Sequence, residues 1–364
     1  MLTLSLPYAA APAASPAAAT GGALDSIGTP MLWAVTLGAV LALFALDFLL
    51  TRKPHAVSMR EAIGWSAFYI ALPLLFGAWV WTQHGSQIGM EYYTGYLVEK
   101  SLSVDNLFIF MLLLAGFAVP KELQQRVLLI GVAGALVLRG IFIALGAQLI
   151  ASFDWAFLLF GIILLVTAVK VARDAMSDAE HTPVAEMPVV RLINRVWPVT
   201  GDYRGTRMTV RDAGRRALTP LAVVTLAVLG TDIIFAIDSV PAVYGITGDP
   251  YLVFATNAFA LLGLRALYFV LEGALSRLVH LGHGLAIILG FIAVKLILHW
   301  AHGIWPRVPT VPTAWSLVFI VAVLAIVTVT SLRATRDRAT GDADDESRNG
   351  ADDVGQDEQV AQRH

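Results

Sequence analysis

The sequence has 364 residues, 57% of them hydrophobic and 14% charged, and its mean hydropathy is +0.71. That balance excludes a soluble globular domain and points to a chain that crosses a bilayer many times. The net charge of −2 averages a basic middle against an acidic end and so says nothing about partners; no nucleic-acid partner is expected, and the lack of cysteine excludes disulfides and thiolate metal sites.

Taken in chain order, residues 1–30 are rich in Ala and Pro and lack a basic start, so an extramembrane arm is expected rather than a cleaved signal. A crossing helix needs about 20 mainly apolar residues. Nine segments qualify: 31–50, 62–82, 93–118, 126–149, 154–172, 218–243, 251–273, 284–300 and 313–332. The expected class is therefore an all-α polytopic membrane protein. Its parts are two leading helices in 31–92, a three-helix unit in 93–172 and a loop in 173–217. A second three-helix unit follows in 218–300, then an outer loop with a last helix in 301–332, and a disordered acidic tail in 333–364.

Basic residues orient the crossings. Arg52, Lys53 and Arg60 fall between the first two spans, and Lys121 and Arg126 between the third and fourth. Loop 173–217 carries Arg173, Arg191, Arg195, Arg204, Arg207, Arg211, Arg215 and Arg216. Arg277 follows the seventh span, and Arg333, Arg336 and Arg338 follow the ninth. With nine crossings all of these share one side and the other side keeps only Arg307. The expectation is a cell-membrane protein with its N-terminus outside and its C-terminus and the 173–217 loop in the cytoplasm.

Two acidic frames match. Glu99, Asp105 and Asn106 in the third span align with Asp232, Asp238 and Ser239 in the sixth. Leu136–Arg139 resembles Leu262–Arg265, and Ala168–Lys170 resembles Ala293–Lys295. A repeat of three helices must reverse its direction, so an inverted repeat is expected, with a binding site near its midplane. A carboxylate in the hydrocarbon region costs several kcal/mol unless paired, hydrated or metal-bound. On an intact helix, positions six apart differ by about 120° and about 9 Å, so each acid pair marks either two stations or a local break. Ser101, Ser103 and Pro241 would permit a break.

Glu99, Asp105, Asp232 and Asp238 are thus candidate metal ligands. Asn106, Ser239 and Asn257 are candidate neutral donors, and Ser103 is an accessory polar group. An all-oxygen set suits Mn²⁺, Mg²⁺ or Ca²⁺. Lys100, Arg139 and Arg265 read as counter-ions, since a cation repels a metal. Asp47 and Glu272, near span ends, are expected to snorkel to the interface.

At these residues the chain resembles the TerC family of integral membrane proteins. The matching stretches are Gly95–Phe108, Asp232–Ala242 and Thr256–Arg265, and the resemblance runs from about residue 30 to 332. It implies a fold of the LysE exporter type, the four acids as the family's intramembrane carboxylates, and an association with tellurium resistance and manganese export. The leading expectation is a non-enzymatic exporter of a divalent cation, Mn²⁺, with no prosthetic group and the lipid bilayer as its setting. The alternative is a membrane component of tellurite or envelope-stress resistance acting through protein partners at loop 173–217. An aspartyl intramembrane protease ranks below both, because its Gly-x-Gly-Asp pattern is absent.

Overall fold

A computed structural model describes residues 26–50, 58–176, 188–212, 215–271, 280–331 and 333–334. Most of the expected arm and tail, and Arg52, Lys53, Glu272 and Arg277, lie outside the described residues. The described residues are all-α apart from one small hairpin. Its elements are α1 (Pro30–Leu50), α2 (Met59–Gly116), α3 (Lys121–Ser152), α4 (Ala156–Met176), α5 (Pro188–Val196), β1 (Thr209–Asp212) and β2 (Arg215–Leu218). They continue as α6 (Pro220–Tyr244), α7 (Pro250–Leu262), α8 (Leu264–Leu271), α9 (Leu281–Ile304) and α10 (Thr313–Ser331).

Eight helices of the described residues, with α7 and α8 taken together, are long and apolar enough to cross a membrane. One of them, α2, folds back on itself at Gly85, whose φ of 88° and ψ of 173° are reachable only without a side chain. The Tyr92 and Tyr93 hydroxyls then donate to the Pro73 and Leu74 carbonyls at 3.0 and 2.8 Å, so the two arms run antiparallel. Gly77 leaves the room that the Tyr92 and Tyr93 rings fill. Seven single crossings and these two arms make the nine expected passes. The expected ten-residue connection over 83–92 is instead helical except at Gly85.

Helix starts follow their caps. Ser58 accepts from the Glu61 amide and Thr219 from the Ala222 amide, and Asp249 accepts from the Tyr251 amide with Pro250 in the first turn. Asp249 also accepts from the Ser26 hydroxyl and the Ile27 amide, while Thr36 bonds to Tyr251 at 2.6 Å, which lays α1 along α7 in the same direction.

The packing is symmetric between the two halves. The second arm of α2 lies parallel to α7, with Gly95 against Thr256 and Lys100 donating to the Ala260 carbonyl at 3.3 Å. Its counterpart is α3 parallel to α6: Gly131 faces Val228, and the Tyr244 hydroxyl donates to the Ile143 carbonyl at 2.8 Å. Helices α4 and α9 run antiparallel, with Phe157 against His299, Gly161 against Ile297 and Gly282 against Ala175. These directions are what a twofold axis in the membrane plane produces. Side chains such as Leu75, Leu145, Val166 and Ile326 stay exposed at the periphery, as a lipid-facing surface requires.

Segment 173–217, expected only as a loop, contains α5 and the antiparallel pair β1–β2, with Val210 opposite Ala217. Tyr203 donates to the Phe117 carbonyl at 2.7 Å and fastens this segment to the end of α2.

Candidate functional site

The second arm of α2 and helix α6 carry the two acidic frames, and both remain helical through them. Of the two alternatives, two stations or a local break, the intact helices leave the first. Pro241 removes the hydrogen bond to the Ile237 carbonyl, next to Asp238, yet the backbone stays helical to Tyr244. Each pair consequently marks two levels about 9 Å apart along its helix.

One level is organised by Arg139 of α3, whose side chain is fully buried. Its guanidinium pairs with Glu99 of α2 and lies 3.6 Å from Asp232 of α6. It also donates to Asn257 of α7 at 2.9 Å. With the Asn106 amide turned so that its nitrogen donates to the Leu102 carbonyl, the Asn106 oxygen accepts from Arg139 at 3.2 Å. Four crossings from both halves thus meet at one planar cation, a role suited to Arg, with its fan of donors. Glu99 and Asp232 are both almost wholly shielded from solvent.

Asp105 and Asp238 form the other level. Both are half-buried. Asp238 lies within electrostatic reach of Arg139 and of Asp105, but no basic side chain of the described residues bonds directly to either acid. The buried hydroxyls of Ser103 and Ser239 and the second oxygen of Asp232 lack hydrogen-bond partners. Ser103 and Ser239 lie on the same helices as Asp105 and Asp238, and hydroxyl and carboxylate oxygens with no base bonded to them are donors suited to a cation. Among the described residues no three carboxylates or imidazoles converge as a ready-made metal cage.

The counter-ions divide unevenly. Lys100 reaches the Ala260 carbonyl near the end of α7, where the chain turns at Gly263 before α8. Arg265, the counterpart of Arg139, does not approach the repeat acids. It makes a two-pronged pair with Asp47 of α1, through Nε at 2.9 Å and through Nη2. This corrects the expectation that Asp47 snorkels: only 5% of it is exposed, because α1 lies along α7 and α8 and sets the carboxylate against Arg265. The available signal was Asp47 itself, a carboxylate in an apolar span with no counterpart in the repeat.

The fold and this charged core define a multi-pass membrane protein built around carboxylates supplied by two inverted halves. The integral membrane protein TerC family model matches residues 84–339, and the chain belongs to that family. An uncharacterized membrane protein of Mycobacterium bovis is 44% identical over 85% of this chain and 81% of its own. Another, from Myxococcus xanthus, is 39% identical over 88% of this chain and 97% of its own. A relative in Escherichia coli, 40% identical over 76% of this chain and 88% of its own, is named, provisionally, as membrane-bound redox modulator Alx. No solved structure matches the chain.

Proposed function

We propose that the protein exports a divalent cation, Mn²⁺, across the cell membrane by alternating access, with its N-terminus outside and its C-terminus in the cytoplasm. The observation that carries this reading is the approach of Asp105 and Asp238, one from each inverted half, with no basic group bonded to either. In this reading the two aspartates take the cation first. Ser103 and Ser239 lie close along the same helices and supply neutral oxygens, while the Asn106 oxygen is held by Arg139. Glu99 and Asp232, held by Arg139, join the ion or keep the helices in register as the two halves rock. Hard oxygen donors favour Mn²⁺ over Zn²⁺ or Cu⁺, and the cost of dehydrating Mg²⁺ handicaps that competitor.

Purified protein in liposomes should move Mn²⁺ down an imposed gradient and Zn²⁺ poorly. Asp105→Asn and Asp238→Asn should each reduce the Mn²⁺ flux at least tenfold while the protein remains abundant and monodisperse. Full flux in both variants would remove the aspartates from the pathway.

A second reading has its own support. Segment 188–218 is partly folded and exposes Arg195, Arg204, Arg207, Arg211 and Arg216, a basic surface suited to an acidic protein partner. The relatives named as redox modulators fit an indirect role of this kind. Cellular manganese content after gene deletion separates the readings: export predicts accumulation, and a partner-dependent role predicts no change.

A further inference from the structure

Lys295 is absorbed by none of this chemistry. It matches Lys170 across the repeat, yet the two lysines sit differently. Lys170 is exposed, whereas the ammonium nitrogen of Lys295 is buried without a hydrogen-bond partner. An ammonium in the hydrocarbon region is costly unless an acceptor or countercharge meets it. The neighbouring acid is Glu91, which is within electrostatic reach. Its two oxygens accept at 2.8 Å from Gln87 and from Thr247, and neither comes within hydrogen-bond reach of the Lys295 nitrogen.

The lysine borders a cavity of about 630 Å³, a volume suited to a small molecule. His299 and His302 line the same cavity one and two turns further along α9, at spacings that keep all three side chains on one helix face. His302 Nδ1 lies 2.6 Å from the Val308 carbonyl, which fixes that ring. His299 is held edge-on to Phe157, with 4.7 Å between ring centroids. Thr310 and Thr313 add hydroxyls to the rim, and Phe157, Ile246 and Leu296 add apolar wall. The cavity lies at the end of the bundle that the basic loops assign to the outside.

We propose that Lys295, with His299 and His302, forms a binding site for a small soluble oxyanion of the carboxylate or phosphate class in this cavity. An oxyanion gives the buried ammonium a charge-assisted acceptor, and the threonine hydroxyls and the His299 N–H are donors around it; His302, whose Nδ1–H is given to Val308, donates from Nε2 only as an imidazolium. Lys295 lies nine residues before the end of α9, or about 14 Å along the helix axis, so a ligand must reach it inside the cavity and not at the helix end, which a small soluble ion does more readily than a lipid headgroup. The site is separate from the aspartates and does not depend on metal export.

The test uses the full chain in nanodiscs of zwitterionic lipid, without added metal. Thermal unfolding is followed against phosphate, sulfate and acetate, with chloride holding ionic strength constant. At least one of the three oxyanions should raise the midpoint saturably. Lys295→Met, whose unliganded midpoint and elution profile report its folding, should weaken that response at least tenfold, and Lys295→Arg should preserve it. Glu91→Gln, which removes the neighbouring negative charge, should tighten it. Asp105→Asn should respond as the wild type does, so a failed export reading leaves this result intact. An unchanged response in Lys295→Met would overturn the site, as would no response of the wild type to all three anions. Stabilisation that appears only in phosphatidylglycerol nanodiscs and disappears in Lys295→Met would overturn the soluble-ligand assignment.

Discussion

Replacing Arg139 by Met is the sharpest probe of the charged core. The substitution keeps an unbranched side chain of similar reach and removes only the cation and its donors. Glu99 and Asp232 would then share a buried site with no countercharge, and the Asn106 and Asn257 oxygens would lose their donor. Breaking one member of a buried ion pair costs about 3–5 kcal/mol, a large part of the 5–15 kcal/mol that typically holds a fold together. At about 2 °C per kcal/mol, the lower end for 150–250 residues and so nearer the value for this longer chain, the unfolding midpoint should fall on the order of 5–10 °C. Thermal unfolding of the detergent-solubilised protein, monitored by size-exclusion elution, reads this directly. Adding Glu99→Gln and Asp232→Asn to Arg139→Met removes both stranded charges and should recover most of the loss. A single variant as stable as the wild type, or a triple variant no better than the single, would refute the reasoning that this cation neutralises both halves.

Asp47→Asn should lower protein abundance by leaving Arg265 buried without its acid, and Asp47→Asn with Arg265→Gln should restore it; quantitative blotting of membrane fractions decides. Gly85→Ala should cost about 1–3 kcal/mol because its φ of 88° and ψ of 173° are strained for any side chain, although a Cβ there meets nothing within 4 Å; the unfolding midpoint reports it. Reporter fusions at residues 195 and 340 should read cytoplasmic and fusions at 88, 247 and 305 external. An external 195 would invert the assignment of the basic loops.

The crossings were legible because bilayer thickness imposes a length that composition reveals directly, and the repeat was legible because equivalent positions in the two halves carry the same rare charged residues. Other features depended on neighbours that local sequence does not name. The stretch 83–92 reads as a connection between two spans, yet one glycine reverses the chain there and the flanking turns stay helical. Asp47 reads as interfacial from its place near the end of α1, but its surroundings are set by the docking of α1 on α7 and α8, which is a tertiary fact. Arg139 and Arg265 were recognisable as counter-ions. That the first holds acids from both halves while the second is taken by a helix outside the repeat follows only from the packing.

The crossed pairing of the halves also bears on how the chain is made. The first half cannot close its own core, since α3 packs on α6 and the second arm of α2 packs on α7. When Arg139 enters the bilayer, Glu99 is already present, but Asn257 is 118 residues away. At about 5–20 residues per second, translation reaches it on the order of ten seconds later. During that interval Glu99 and Arg139 neutralise each other, and the first half waits in the membrane as a charge-balanced fragment with an unfilled groove. A ribosome stalled before α6 should therefore leave a fragment that is inserted but open to proteolysis, and supplying the second half from a separate transcript should protect it.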